Sequence, residues 1–160
     1  MTLKEEFIKL EYTEEDYEII RNNYAVNQIK DETLIKKLKD NFAFLLKIGY
    51  TKEEVIKMTK SFPPIYGLSI ENMKQKIEFY DSIDMHELAV INPKQLMQSV
   101  NLSYARYSFY KDRGIDIDMN NYRKLFVGQK DFEKAYGITK KELLEKYDYD
   151  KYEEQRKMKL

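Results

Sequence analysis

The chain has 160 residues with 28 basic and 28 acidic side chains, so its formal charge is zero. That argues against a strongly cationic nucleic-acid binder, whose domain pI usually exceeds ~9. With 8 Phe and 14 Tyr it is too aromatic for a disordered chain, and the lack of cysteine excludes disulfides, thiolate metal sites and Cys nucleophiles.

The first signal in chain order is Thr13-Glu14-Glu15-Asp16, a weak form of the helix-opening capping box. Asp31 is a plausible cap for a helix whose stripe is Leu34, Leu38, Phe42 and Leu45. Thr51-Lys52-Glu53-Glu54 is a full capping box, followed by Val55, Met58 and Phe62 at helical spacing. Pro63-Pro64 then removes backbone donors and predicts that this helix stops near Phe62. Ser69 caps the next stripe, Ile70, Met73, Ile77 and Tyr80, and Asn92 is a further candidate cap. Thr139-Lys140-Lys141-Glu142 repeats the capping box. With 5 Gly and 3 Pro for the whole chain, the many tight turns of an all-β domain are not provided for. The fold class read from these signals is all-α. No apolar run approaches the ~20 residues of a membrane helix. Residues 1–16 are acidic, without signal- or transit-peptide character, so a cytoplasmic protein is expected.

Placing Phe44, Phe79 and Phe109 in register aligns Leu45 with Tyr80 and Tyr110, and Gly49 with Asp84 and Gly114. Pro63 falls on Pro93, Ser69 on Ser99 and Thr13 on Thr51. The repeated unit is a short capped helix, a break, a longer helix ending in two aromatics, and a turn. Its length is about 30 to 38 residues, and one such pair cannot bury its own apolar stripe. The expectation is therefore a short α-solenoid of stacked helical hairpins, one domain over 1–160, with units at about 13–50, 51–85, 86–117 and 118–147 and a C-terminal tail over 148–160.

The run Ile48-Gly49-Tyr50-Thr51 through Phe62-Pro63-Pro64, then Ser69-Ile70-Glu71-Asn72-Met73 and Glu78-Phe79-Tyr80, resembles one repeat of the mitochondrial transcription termination factor (mTERF) family. Pro93, Arg106, Tyr107, Phe109, Tyr110 and Gly114 fit a second repeat, and Leu125 to Tyr136 is similar to the segment that often follows the last one. The resemblance implies a helical-repeat protein that binds DNA or RNA along a basic groove and acts in transcription, translation or RNA processing.

Basic residues recur in the same register. Lys39 falls on Lys74 and Lys76 on Arg106, so these four could line one groove, extended by Arg123 and Lys124. The competing reading is a solvated surface balanced by Glu71, Glu78 and Asp81. Tyr107 and Tyr110 share the expected core face, whereas Tyr104 drifts off it and is the better candidate to stack on a base. His86 reads as a local cap or surface residue, and Asp112, Asp116 and Asp118 as a turn, since the calcium-loop pattern is missing. The function expected is noncatalytic nucleic-acid binding in regulation of transcription or RNA metabolism, through Lys39, Lys74, Lys76, Tyr104, Arg106, Arg123 and Lys124. The alternative is a protein-binding repeat module acting as a regulator or inhibitor. No catalytic residue, cofactor, metal, membrane or small-molecule substrate is expected.

Overall fold

A computed structural model describes residues 1–159. Its helices are α1 (Leu3–Lys9), α2 (Glu14–Arg21), α3 (Asp31–Lys47), α4 (Lys52–Ser61), α5 (Ile70–Ser82), α6 (Leu88–Ile91), α7 (Val100–Asp112), α8 (Gln129–Tyr136), α9 (Lys140–Lys146) and α10 (Tyr149–Met158). Three 3-10 turns, Pro63–Gly67, Pro93–Met97 and Tyr122–Phe126, follow α4, follow α6 and precede α8. The described residues contain no strand, so the fold is all-α. Among them no helix is long and apolar enough to cross a membrane.

The capping boxes form as the hydroxyl chemistry requires. Thr13, Thr51 and Thr139 each accept from the backbone three residues on, and the carboxylates of Asp16, Glu54 and Glu142 reach back. Ser69 and Ser99 cap α5 and α7 through the amides of Asn72 and Leu102. Two expected caps are corrected. Lys30 is the N-cap of α3, and Asp31 is the first helical residue, its carboxylate 2.9 Å from Arg21 Nη2. Asn92 closes α6 instead of opening a helix, with φ −142° forced by the proline that follows. Phe62 adopts the same φ of −142° before Pro63, so the prolines convert the chain to 3-10 geometry instead of only ending a helix.

The turns after the repeat helices share one closure. Tyr12, Tyr50, Met85 and Ile115 donate their amides to the carbonyls of Phe7, Leu45, Tyr80 and Tyr110 at 2.8–3.2 Å. The residue before each donor, Glu11, Gly49, Asp84 and Gly114, has a positive φ, so the aligned Gly49, Asp84 and Gly114 do the same backbone work.

The described residues divide into two compact units, residues 1–74 with 87–94, and residues 75–86 with 95–159. The first is centred on Phe7, Leu38, Phe42, Leu45, Met58 and Tyr66, all nearly inaccessible. At its centre the Tyr12 hydroxyl meets Thr59 Oγ1 at 2.7 Å and the Tyr66 hydroxyl at 2.5 Å. Burial pushes the Tyr12 phenol up to about 12. The second unit is centred on Tyr80, Leu96, Phe109, Tyr110, Leu125 and Phe132. There Phe109, Phe132 and Tyr136 pack mutually with ring centroids 4.9–5.3 Å apart.

Candidate nucleic-acid interface

The register that superposes Phe44, Phe79 and Phe109 puts Asn41, Lys76 and Arg106 three residues earlier, one helical turn back on α3, α5 and α7. All three side chains donate to the backbone where a 3-10 turn passes into the next helix. Asn41 Nδ2 donates to the Ile65 and Leu68 carbonyls, both at 3.3 Å. The Lys76 ammonium donates to the Leu96 carbonyl. Arg106 Nη1 donates to the Leu125 and Val127 carbonyls at 3.0 and 2.7 Å, and its Nη2 to Gln129 Oε1 at 3.2 Å. A tight turn leaves carbonyls without helical partners, and burying them unpaired is costly, so each repeat supplies a donor from its long helix. A second tie recurs beside it. The Tyr80 hydroxyl donates to the Gln95 carbonyl at 3.4 Å, and the Tyr110 hydroxyl to the Lys124 carbonyl at 3.0 Å.

This geometry corrects the role expected of Lys76 and Arg106. Arg106 is 1% exposed, its guanidinium carbon sits 4.8 Å from the Phe132 ring centroid, and a phosphate could reach it only by taking it off three acceptors. Burial lowers the pKa of both groups from their usual values, most simply for Lys76, where desolvation is the sole cause. Their alignment reflects a structural clamp. The sequence did carry its signature: Asn, Lys and Arg can all donate, and none of the three is a carboxylate.

Tyr104 is also engaged. Its ring stacks on Tyr152 at 4.7 Å with 21° between planes, and meets Tyr149 and Phe79 edge-on at 5.5 and 6.4 Å. The remaining candidates face solvent. Lys39 is 56% exposed at its side chain, with Nζ 3.5 Å from Glu6 Oε2. Lys74, Arg123 and Lys124 are exposed and make no ion pair among the described residues; the Arg123 guanidinium lies 5.7 Å from the Tyr122 ring centroid. Lys39 and Lys74 occupy one repeat position, two residues before the clamp, and Tyr104 holds that position in α7. Arg123 and Lys124 lie on the 3-10 turn that Arg106 and Tyr110 pin.

The other singled-out groups have local partners. His86 Nδ1 lies 2.5 Å from Asp81 Oδ1. Asp112 Oδ2 accepts from the Tyr147 hydroxyl at 2.6 Å. Asp116 and Asp118 belong to a turn closed by Asn121, which donates to the Asp116 carbonyl and accepts from the Asp118 amide.

Comparison with curated proteins and with solved structures gives no match. The mTERF family model matches residues 5–133, from α1 into α8, and so spans all three clamps and the exposed Lys39, Lys74, Arg123 and Lys124. On that match, the chain belongs to the mTERF family, whose members are helical-repeat proteins that in general bind nucleic acid.

Proposed function

We propose that this protein binds DNA or RNA without catalysing a reaction on it, and regulates transcription or RNA metabolism by occupying its target. The observation that carries the reading is the family match over residues 5–133. The exposed cations support it: Lys74, Arg123 and Lys124 are the proposed phosphate contacts, with Lys39 a fourth that shares its charge with Glu6. Each phosphate neutralised releases condensed counterions, so affinity falls with salt in proportion to the number of contacts.

About four contacts imply a loss of roughly 50- to 150-fold in affinity from ~50 to ~200 mM salt, the lower figure for single strands. A mobility-shift titration at the two concentrations measures it. Salt-independent binding, or none at the lower salt, contradicts the reading. The zero formal charge favours a second reading, a protein-binding regulator or inhibitor, for which a copurifying protein would survive high salt.

A further inference from the structure

The family match ends at residue 133, and α10 lies beyond it. Of its ten residues only Tyr149 is buried; Tyr152 is 37% exposed, and Asp150, Lys151, Glu154, Gln155, Arg156, Lys157 and Met158 are exposed. Two rings attach it. Tyr149 and Tyr152 pack on Tyr104 of α7, the latter nearly parallel to it. The remaining polar satisfaction of α10 is internal: Asp148 Oδ1 caps it through the Lys151 amide at 3.1 Å, and Arg156 pairs with Glu153 at 2.6 Å. The helix can therefore leave α7 without orphaning a cap or an ion pair. The link that would bend is short and well anchored on one side, because the Tyr147 hydroxyl holds Asp112 at the end of α7.

The position α10 covers is the informative part. Lys39 and Lys74, the equivalents of Tyr104 in the earlier repeats, are exposed. In α7 the same position carries a flat ring, and Tyr152, from a helix outside the matched region, stacks on it within 21° of parallel, the face-on arrangement a nucleobase adopts on an aromatic side chain. We propose that α10 is a displaceable strap over a base-stacking site at Tyr104, and that an unpaired base of single-stranded nucleic acid takes the place of Tyr152. Duplex is a poor competitor, since its bases already stack on one another. The proposal rests on the nucleic-acid reading above and adds a site and a regulation to it. While the strap is docked, apparent affinity is reduced by the fraction of molecules in which Tyr104 is open.

The test uses the full chain and fluorescein-labelled oligo(dT) and oligo(U), read by anisotropy. Tyr149→Ala/Tyr152→Ala should tighten binding about fivefold or more by removing the closed population, and adding Tyr104→Ala should abolish the gain. Amide hydrogen exchange on the unaltered chain supplies a readout independent of any substitution: saturating oligonucleotide should speed exchange over residues 149–158. Binding by the unaltered chain that neither the double substitution nor the oligonucleotide changes, in affinity or in α10 exchange, overturns the strap and leaves the nucleic-acid reading standing. If the double variant loses helical structure, the exchange experiment alone decides. Failure of every variant to bind either oligonucleotide overturns the strap, and the nucleic-acid reading falls with it only if duplex DNA and RNA probes at ~50 mM salt also fail to bind.

Discussion

Arg106 carries a full charge into the protein without a carboxylate beside it. Its two terminal nitrogens reach two carbonyls and one side-chain amide oxygen, the Phe132 ring faces its guanidinium carbon, and its Nε has no hydrogen-bond partner among the described residues. A guanidinium suits this place because Nη1 meets the Leu125 and Val127 carbonyls while Nη2 reaches Gln129 Oε1, whereas the ammonium of Lys76 at the equivalent position meets one carbonyl. Arg106→Ala removes all three bonds and leaves the Val127 carbonyl and Gln129 oxygen unpaired. Hydrogen bonds from charged donors contribute about 1.5–3 kcal/mol each and unpaired groups cost more, so a loss of about 3 kcal/mol in stability is expected. Arg106→Lys, which imitates Lys76, should lose roughly half of that. Denaturant unfolding measures both, and a neutral Arg106→Ala would remove the clamp assignment. A charged residue three positions before an aromatic is ambiguous as sequence, because a cation serves a phosphate and a carbonyl equally well. Only burial separates the two uses.

Elements in the first unit are tied together by a polar junction that the apolar stripes did not reveal. Tyr12 follows α1, Thr59 lies on α4 and Tyr66 on the first 3-10 turn, and their three hydroxyls meet in a site from which water is excluded. The Tyr12 phenol is held to about 12 by burial, against an ordinary value of 10. The unfolded chain therefore releases this proton first as pH rises, and the stability present below pH 10 is lost between about 10 and 12. Two pH units correspond to about 3 kcal/mol as an upper bound. Tyr12→Phe should lower stability near neutrality by about 1 kcal/mol for the lost hydrogen bonds and make the alkaline fall shallower. Tyr66, whose phenol burial also raises, keeps part of the fall in place. Thermal melts of the two proteins from pH 8 to about 11.5 supply the comparison, and parallel curves would contradict the assignment. By contrast, the helices themselves were legible: three Thr capping boxes open helices where their spacing indicated, and both prolines that open a break do so. What local patterns missed were the 3-10 turns, since proline excludes a helix donor without specifying what replaces the helix.

Across the whole molecule, the family and the repeat register were readable from residues 48 to 84 and from the alignment of Gly49, Asp84 and Gly114, whose shared positive φ shows that a physical constraint underlies it. The candidate phosphate contacts divide by what their side chains face. Lys74, Arg123 and Lys124 are exposed as a phosphate contact requires, whereas Lys76 and Arg106 point at the protein's own backbone and Tyr104 lies against α10. Register identifies equivalent positions, but not what each position faces, because that depends on segments distant in sequence. Two sets of cations therefore have opposite expected behaviour. The deciding measurement is affinity for a nucleic-acid probe beside unfolding stability, for Lys74→Glu/Arg123→Glu/Lys124→Glu and for Arg106→Lys. The charge reversals should weaken binding at ~50 mM salt by about tenfold or more and flatten its salt dependence, while stability stays within about 0.5 kcal/mol. Arg106→Lys should lower stability and leave the salt dependence as it was. Unchanged affinity in the triple variant, or a salt slope that drops with Arg106→Lys at full stability, would contradict the division.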